Sequence, residues 1–202
     1  MSTGNRIPLA TAQKLAGRLV AALAPACERI EVAGSIRRGK ADVGDVELVA
    51  IPVIDSQGSA LDRLLLTLID EGKLQRKPVY PKDRPAWGEK YKKFWVLINS
   101  QQGPIQVDLF LATPENWGAI FTIRTGPSDF SKELVTHIKY KTPYRQDGGH
   151  LVRKDNGGIV LTPDEETYFA AAGLQYIAPE WRTVEKLRLV IRLAQAKKQP
   201  GV

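Results

Sequence analysis

Asp45 and Glu47 stand two residues apart in the apolar run Asp45 to Ile51, and a third acid, Asp108, sits in a second apolar run, Ile105 to Leu111. In an extended strand, residues two apart share a face, so Asp45 and Glu47 project side by side. Two carboxylates held together repel each other unless a cation lies between them. Mg²⁺ suits such a pair because it takes few protein carboxylates, keeps waters and binds substrate phosphates. If the Asp108 strand lies beside the Asp45 strand, three carboxylates converge, which fits two-metal phosphoryl or nucleotidyl transfer. Asp108, on the other strand from the pair, is then the group next to the nucleophile. A lone Asp-x-Glu is also what a strand with one solvated face looks like, and a single Asp in an apolar strand can sit on its exposed face.

Gly34-Ser35 precedes these acids at a strand-to-helix break, with Arg37 and Arg38 just after. Free backbone N–H groups at a helix start favour phosphate, and glycine lets a ligand approach the backbone. Arginine adds fork-shaped, charge-assisted hydrogen bonds. A plain surface turn with nearby arginines has the same composition. From Lys73 to Lys93 the chain is rich in Lys and Arg, interleaved with Tyr80, Trp87 and Tyr91. Such a stretch can track a phosphate backbone and stack on bases, or be a solvated basic hairpin. Arg182, Lys186, Arg188, Arg192, Lys197 and Lys198 give the C-terminal segment a basic face that solvent alone could explain. The net charge of +7 and the pI near 9.5 favour polyanionic partners.

The elements that must position these groups can be read from periodicity. Residues Ile7 to Ala26 carry Leu9, Leu15, Leu19, Val20 and Leu23 at helical spacing. Arg29 to Ala33 and Asp45 to Ile51 read as strands, Ser59 to Asp70 as an amphipathic helix, and Phe94 to Asn99 and Ile105 to Leu111 as further strands. Pro114 suits the first turn of a helix running into Ile123, with Trp117 and Phe121 as core residues. Pro127 to Lys139 reads as a helix, Asp155-Asn156-Gly157-Gly158 as a hairpin turn, and Val184 to Lys198 as a basic amphipathic helix. Thr162-Pro163-Asp164-Glu165 reads as a helix cap with an acidic first turn. With 202 residues, 43% of them hydrophobic, the chain can bury a core in one domain or two small ones. Cys27, the single cysteine, excludes an internal disulfide and the usual thiolate zinc site. Met1 to Ala10 has no signal-peptide core, and no apolar run is long enough to span a bilayer. The expected compartment is the cytoplasm, of a bacterium or a virus-infected host cell.

Gly34-Ser-Ile-Arg-Arg-Gly39, then Gly44-Asp45-Val-Glu47, with Val107-Asp108-Leu109 some way on, resembles the palm of family X DNA polymerases, the DNA polymerase beta type. Thr125-Gly126 resembles that family's nucleotide-contacting Tyr-Phe-Thr-Gly segment. Thr162-Pro-Asp-Glu-Glu and Gly173-Leu-Gln-Tyr-Ile-Ala-Pro-Glu-Trp-Arg182 resemble the end of its thumb. The resemblance runs from about Ile7 to Arg182. It implies an α+β fold: residues 1–113 as a nucleotidyltransferase palm, a mixed β-sheet flanked by helices, and residues 114–202 as a small α/β thumb with a basic C-terminal helix. It implies that Gly34, Ser35, Arg38 and Gly44 hold the triphosphate and that Asp45, Glu47 and Asp108 hold two Mg²⁺ ions, with Mn²⁺ as a substitute. Ile123, Arg124, Thr125 and Gly126 would border the sugar and base, and Lys90, Lys92, Lys93, Ser131 and Lys132 would contact DNA. The implied partners are a DNA primer-template and a nucleoside triphosphate, with no membrane, for a chain acting as a monomer in short-gap or repair synthesis.

The sequence departs from that pattern in places. Glu47 stands where the polymerases usually have Asp, and Gln106 where an arginine usually braces the third carboxylate. Val43 replaces a small hydroxyl residue, and Ile123-Arg124 replaces an aromatic pair, a change expected to relax discrimination against ribonucleotides. Ser131 and Val135 fall where Asn and Arg usually read the minor-groove edge. No room for the family's 5′-phosphate-binding lyase domain is expected before Asp45. Rival readings are an untemplated transferase, a transferase onto RNA or another acceptor, and a DNA-binding accessory protein that has lost catalysis.

Overall fold

The computed structural model describes residues 6–76, 87–97 and 103–197. The chain divides into two compact units, Met1–Ala112 and Thr113–Val202. Both mix helix and strand. Among the described residues no helix is long and apolar enough to cross a membrane.

The first unit runs β1 (Ile7–Pro8), α1 (Leu9–Leu23), β2 (Cys27–Val32), α2 (Gly34–Arg37), β3 (Asp42–Val43), β4 (Asp45–Pro52), β5 (Ile54–Asp55), β6 (Gly58–Ser59), α3 (Ala60–Asp70), β7 (Gln75–Arg76), β8 (Tyr91–Leu97) and β9 (Pro104–Leu111). Its five-stranded mixed sheet has the order β2-β4-β9-β8-β7. Only β4 and β9 run parallel; the other neighbours are antiparallel. Helix α1 presents Ala12, Leu15, Ala16, Leu19 and Leu23 as one buried stripe, as its spacing predicts. Ser59 caps α3, accepting from the Asp62 N–H at 3.1 Å, and Leu61 and Leu65 are buried. These helices share a core with Val46, Leu48 and Ala50 of β4, Val107 and Leu109 of β9, and Phe94 of β8. Because side chains alternate along a strand, Asp45, Glu47, Gln106 and Asp108 all lie on the other face.

Lys92 shares the core face with Phe94 and is 2% exposed. Its Nζ donates to Asp62 at 3.1 Å and to the Gly88 carbonyl at 3.1 Å, and lies 5.3 Å from the Trp87 ring centroid. The expected DNA contact at Lys92 is therefore corrected: its charge is used inside the unit.

The second unit runs α4 (Trp117–Thr125), α5 (Ser128–Lys141), β10 (Tyr144–Asp147), β11 (His150–Arg153), β12 (Ile159–Val160), α6 (Glu165–Ala171) and α7 (Val184–Ala196). Helix α4 starts three residues beyond Pro114, which lies in the preceding turn. The three strands form an antiparallel sheet in chain order. The core gathers Phe130, Leu134 and Ile138 of α5, Leu151 of β11, Tyr168 and Phe169 of α6, and Leu187 and Val190 of α7. Gly118 lets α4 approach the segment before α6: its N–H donates to the Thr162 carbonyl at 2.7 Å, and a Cβ there would sit 1.8 Å from the Asp164 carbonyl oxygen.

Glu165 and Arg182 form a buried pair at 2.8 Å, with relative exposures of 5% and 1%. Arg182 Nε also donates to the Ile177 carbonyl at 3.0 Å, and its guanidinium lies 5.5 Å from the Phe169 centroid. Thr122 and Tyr176 donate to the Glu165 carboxylate at 3.3 Å each. Arg182 thus leaves the expected basic face, and Arg188 is partnered by Glu133 at 3.0 Å. Lys186, Arg192 and Lys197 remain exposed, and Lys198 lies outside the described residues.

Truncating one partner of a buried pair strands the other charge. Arg182→Met is therefore expected to cost about 3–5 kcal/mol in chemical denaturation, and the double variant Glu165→Leu, Arg182→Met considerably less than the two singles summed.

Candidate active site

Parallel pairing of β4 with β9 sets Asp45 opposite Gln106 and Glu47 opposite Asp108. The three acids expected from the sequence therefore share one sheet face on adjacent strands. Antiparallel pairing of β8 with β9 adds Lys93 directly opposite Asp108 and Tyr91 opposite Phe110. Lys93 Nζ lies 3.5 Å from Asp108 Oδ1. The Tyr91 hydroxyl donates to the same oxygen at 2.5 Å, and Gln106 Nε2 donates to Oδ2 at 2.9 Å. Gln106, which stands where an arginine was expected to brace the third carboxylate, makes that brace with a neutral amide.

Burial raises the Asp45 pKa above the ordinary carboxylate value, and the negative charge of Asp108 raises it further. Lys93, Arg38 and Arg6 pull the other way. Asp45 thus sits beside a second acid and within reach of three cations. Arg6 carries no signal in the sequence beyond its charge; its guanidinium donates to the carbonyl of Asp42, in β3, at 3.2 Å.

The turn before the acids is built around Gly34. Its φ is +60°, and a Cβ there would fall 1.8 Å from Glu47 Oε2, so the backbone of α2 and the Glu47 side chain meet only because residue 34 is glycine. Ser35 Oγ is buried with no hydrogen-bond partner. Helix α2 is a single turn, too short to sum a useful dipole, so attraction for an anion here rests on Arg37, Arg38 and Lys40. A Cβ at Gly44 would meet nothing within 4 Å, so packing does not account for glycine there. Val43 is fully buried in the core, where a hydroxyl would lack a partner, and pairs with Ile7 across β1 and β3.

The residues expected at the sugar and the DNA fare differently. Thr125 is fully buried, and Ile123 is half-buried against the core of the second unit, while Arg124 is exposed. Ile123 is therefore a packing residue. Gly126 is demanded by close packing, since a Cβ would lie 2.6 Å from Ser131 Oγ. Ser131 is 8% exposed and donates to the Ile123 carbonyl at 2.8 Å, tying the start of α5 to the end of α4. This corrects its expected role at DNA: the hydroxyl is occupied within the unit. Lys132 and Lys90 are exposed, and Lys93 is partly so. Trp87 packs against the core and is covered by Arg76 at 4.3 Å, so it offers no free platform for a base. Tyr80 lies outside the described residues.

Among the described residues, no group of three His, Cys, Asp or Glu side chains is drawn together tightly enough to hold a metal. The donor set nonetheless fits a hard cation chemically: carboxylate oxygens on one face, one of them with its ionised form disfavoured by burial and by its neighbour. No protein-family model matches the chain, and no curated protein matches it significantly.

A carboxylate whose pKa is raised by folding favours the folded state below its unfolded pKa, and that contribution is lost as pH rises through the folded pKa. Ionised Asp45 is therefore a liability at neutral pH. Asp45→Asn is expected to raise the melting temperature at pH 7, with the gain vanishing as the pH is lowered through the carboxylate range, measured by thermal melts across pH.

Proposed function

We propose that this chain is a nucleotidyltransferase with a palm-like first unit and a thumb-like second unit, a DNA polymerase of family X type that joins nucleotides to a DNA 3′-hydroxyl. The observation that carries the reading is the register of β4 on β9, which brings Asp45, Glu47 and Asp108 onto one face. Arg6, Arg38 and Lys93 around Asp45 supply the positive surroundings a triphosphate requires. The unpartnered Ser35 hydroxyl and the open space beside Gly44 are further contacts for phosphate oxygens.

In this reading Asp45, Glu47 and Asp108 would hold the two Mg²⁺ ions, with Asp108 nearest the primer terminus. When bound, the ions supply a lowered pKa for the attacking 3′-hydroxyl and charge stabilisation for the departing pyrophosphate. Arg38 and Lys93 hold the triphosphate in line, and Ser35 donates to it. The protein's contribution is orientation and fixed charge rather than covalent chemistry. Exposed Lys90 and Lys132 attract the DNA backbone, so binding weakens steeply as salt rises.

A second reading, a DNA-binding accessory protein without catalysis, takes support from Lys93 standing against Asp108 and from the absence of a tight three-acid cluster among the described residues. Primer extension with and without template, in Mg²⁺ or Mn²⁺, separates the two. Under the polymerase reading, Asp45→Asn and Asp108→Asn each lower incorporation by about a thousand-fold, several kcal/mol of lost transition-state stabilisation, with unchanged circular dichroism. Glu47→Asp is milder than Glu47→Ala. Wild-type protein that extends no primer under any of these conditions overturns the polymerase reading in favour of the second.

A further inference from the structure

Asp108 is held at both oxygens by neutral donors: the Tyr91 hydroxyl on Oδ1 and the Gln106 amide on Oδ2. One donor fixes a carboxylate oxygen at a point; a donor on each oxygen also fixes the plane of the group. Tyr91 is itself aimed. Its ring stacks on Phe110, its direct cross-strand partner, with centroids 5.0 Å apart and planes inclined by 21°. Phe110 is 9% exposed, so the stack rests on a buried ring. Lys93 makes the longest of the three contacts, 3.5 Å, from a partly exposed side chain. It can leave Asp108 without disturbing the plane set by the other two.

We propose, building on the nucleotidyltransferase reading, that Tyr91 is a positioning residue for Asp108. Its hydroxyl, aimed by the stack on Phe110, sets the carboxylate plane together with Gln106. Phenol and amide donate hydrogen bonds without adding positive charge, so the negative charge of Asp108 stays available to a divalent cation. A guanidinium at the same place would offset it. Tyr91 acts through Asp108 and touches no substrate.

The test uses the full chain, with Mn²⁺ alone as the first probe. Tyr91→Phe keeps the ring and the stack and removes only the hydroxyl. Mn²⁺ binding, followed by electron paramagnetic resonance without DNA, is expected to weaken roughly ten-fold, the scale of losing an outer partner of a ligand. In primer extension kcat falls by a similar factor while KM for the nucleoside triphosphate stays at the wild-type value. Gln106→Leu shows the same signature. The double variant is worse than either single by less than the product of their effects, because both act on one carboxylate. Wild-type Mn²⁺ affinity and kcat in Tyr91→Phe overturn the inference, as does a rise in KM matching the fall in kcat, which would make Tyr91 a substrate contact. If wild type binds Mn²⁺ and extends primers while Asp108→Asn does neither, the nucleotidyltransferase reading stands whatever Tyr91→Phe does. If wild type binds no Mn²⁺, both fall together.

Discussion

Parallel pairing of β4 with β9 is the constraint on which the candidate site depends. Among the described residues it is the only parallel contact in the five-stranded sheet, and it brings Gln106 and Asp108 beside Asp45 and Glu47. Alternation makes the register strict. A slip of one residue on either strand would turn its acids toward α1 and α3 and expose its valines and leucines. The core therefore enforces the site: Val46 and Leu48 on β4, and Val107 and Leu109 on β9, are all fully buried. Each anchors the acid that follows or precedes it on the opposite face.

The charges follow a related logic. Cations and anions in the first unit are sorted between the two faces of one sheet. On the helix-covered face Lys92 is matched to Asp62. On the other, Lys93, one residue later, stands against Asp108, with Arg6 and Arg38 acting on Asp45. Adjacent lysines thus have unrelated duties, one structural and one at the site. Holding Asp45 partly buried next to Asp108 opposes stability, a pattern expected where groups are arranged for chemistry rather than for folding.

Much of this was legible in the sequence because it is periodic. The α1 stripe, the β4 and β9 runs and the amphipathic helix from Ser59 are local patterns that survive in the structure with edges shifted by a few residues. Strands of two residues, such as β1 and β3, carry no period and were not readable. Composition misled at single positions where it stood in for register. The basic, aromatic stretch Lys73 to Lys93 suggested a surface for nucleic acid, with Lys92 and Trp87 as part of it. Alternation with buried Phe94 instead sends Lys92 inward, and Arg76 covers Trp87. Arg182 looked like one more surface cation because its partner, Glu165, lies in a different element and no local pattern links them. The brace on Asp108 depends on a diagonal contact between β8 and β9, which exists only once their register is known.

The two hydrophobic clusters have a consequence for how this chain loses its structure. Among the described residues, one draws its buried members from residues before Ala112 and the other from residues after Thr113. Each cluster thus gives its own unit a source of cooperativity. Denaturation need not then be an all-or-none event, and one midpoint would average two separate stabilities. A ligand confined to the first unit would shift that unit's transition by mass action. Which transition moves is thus a map of where the ligand sits.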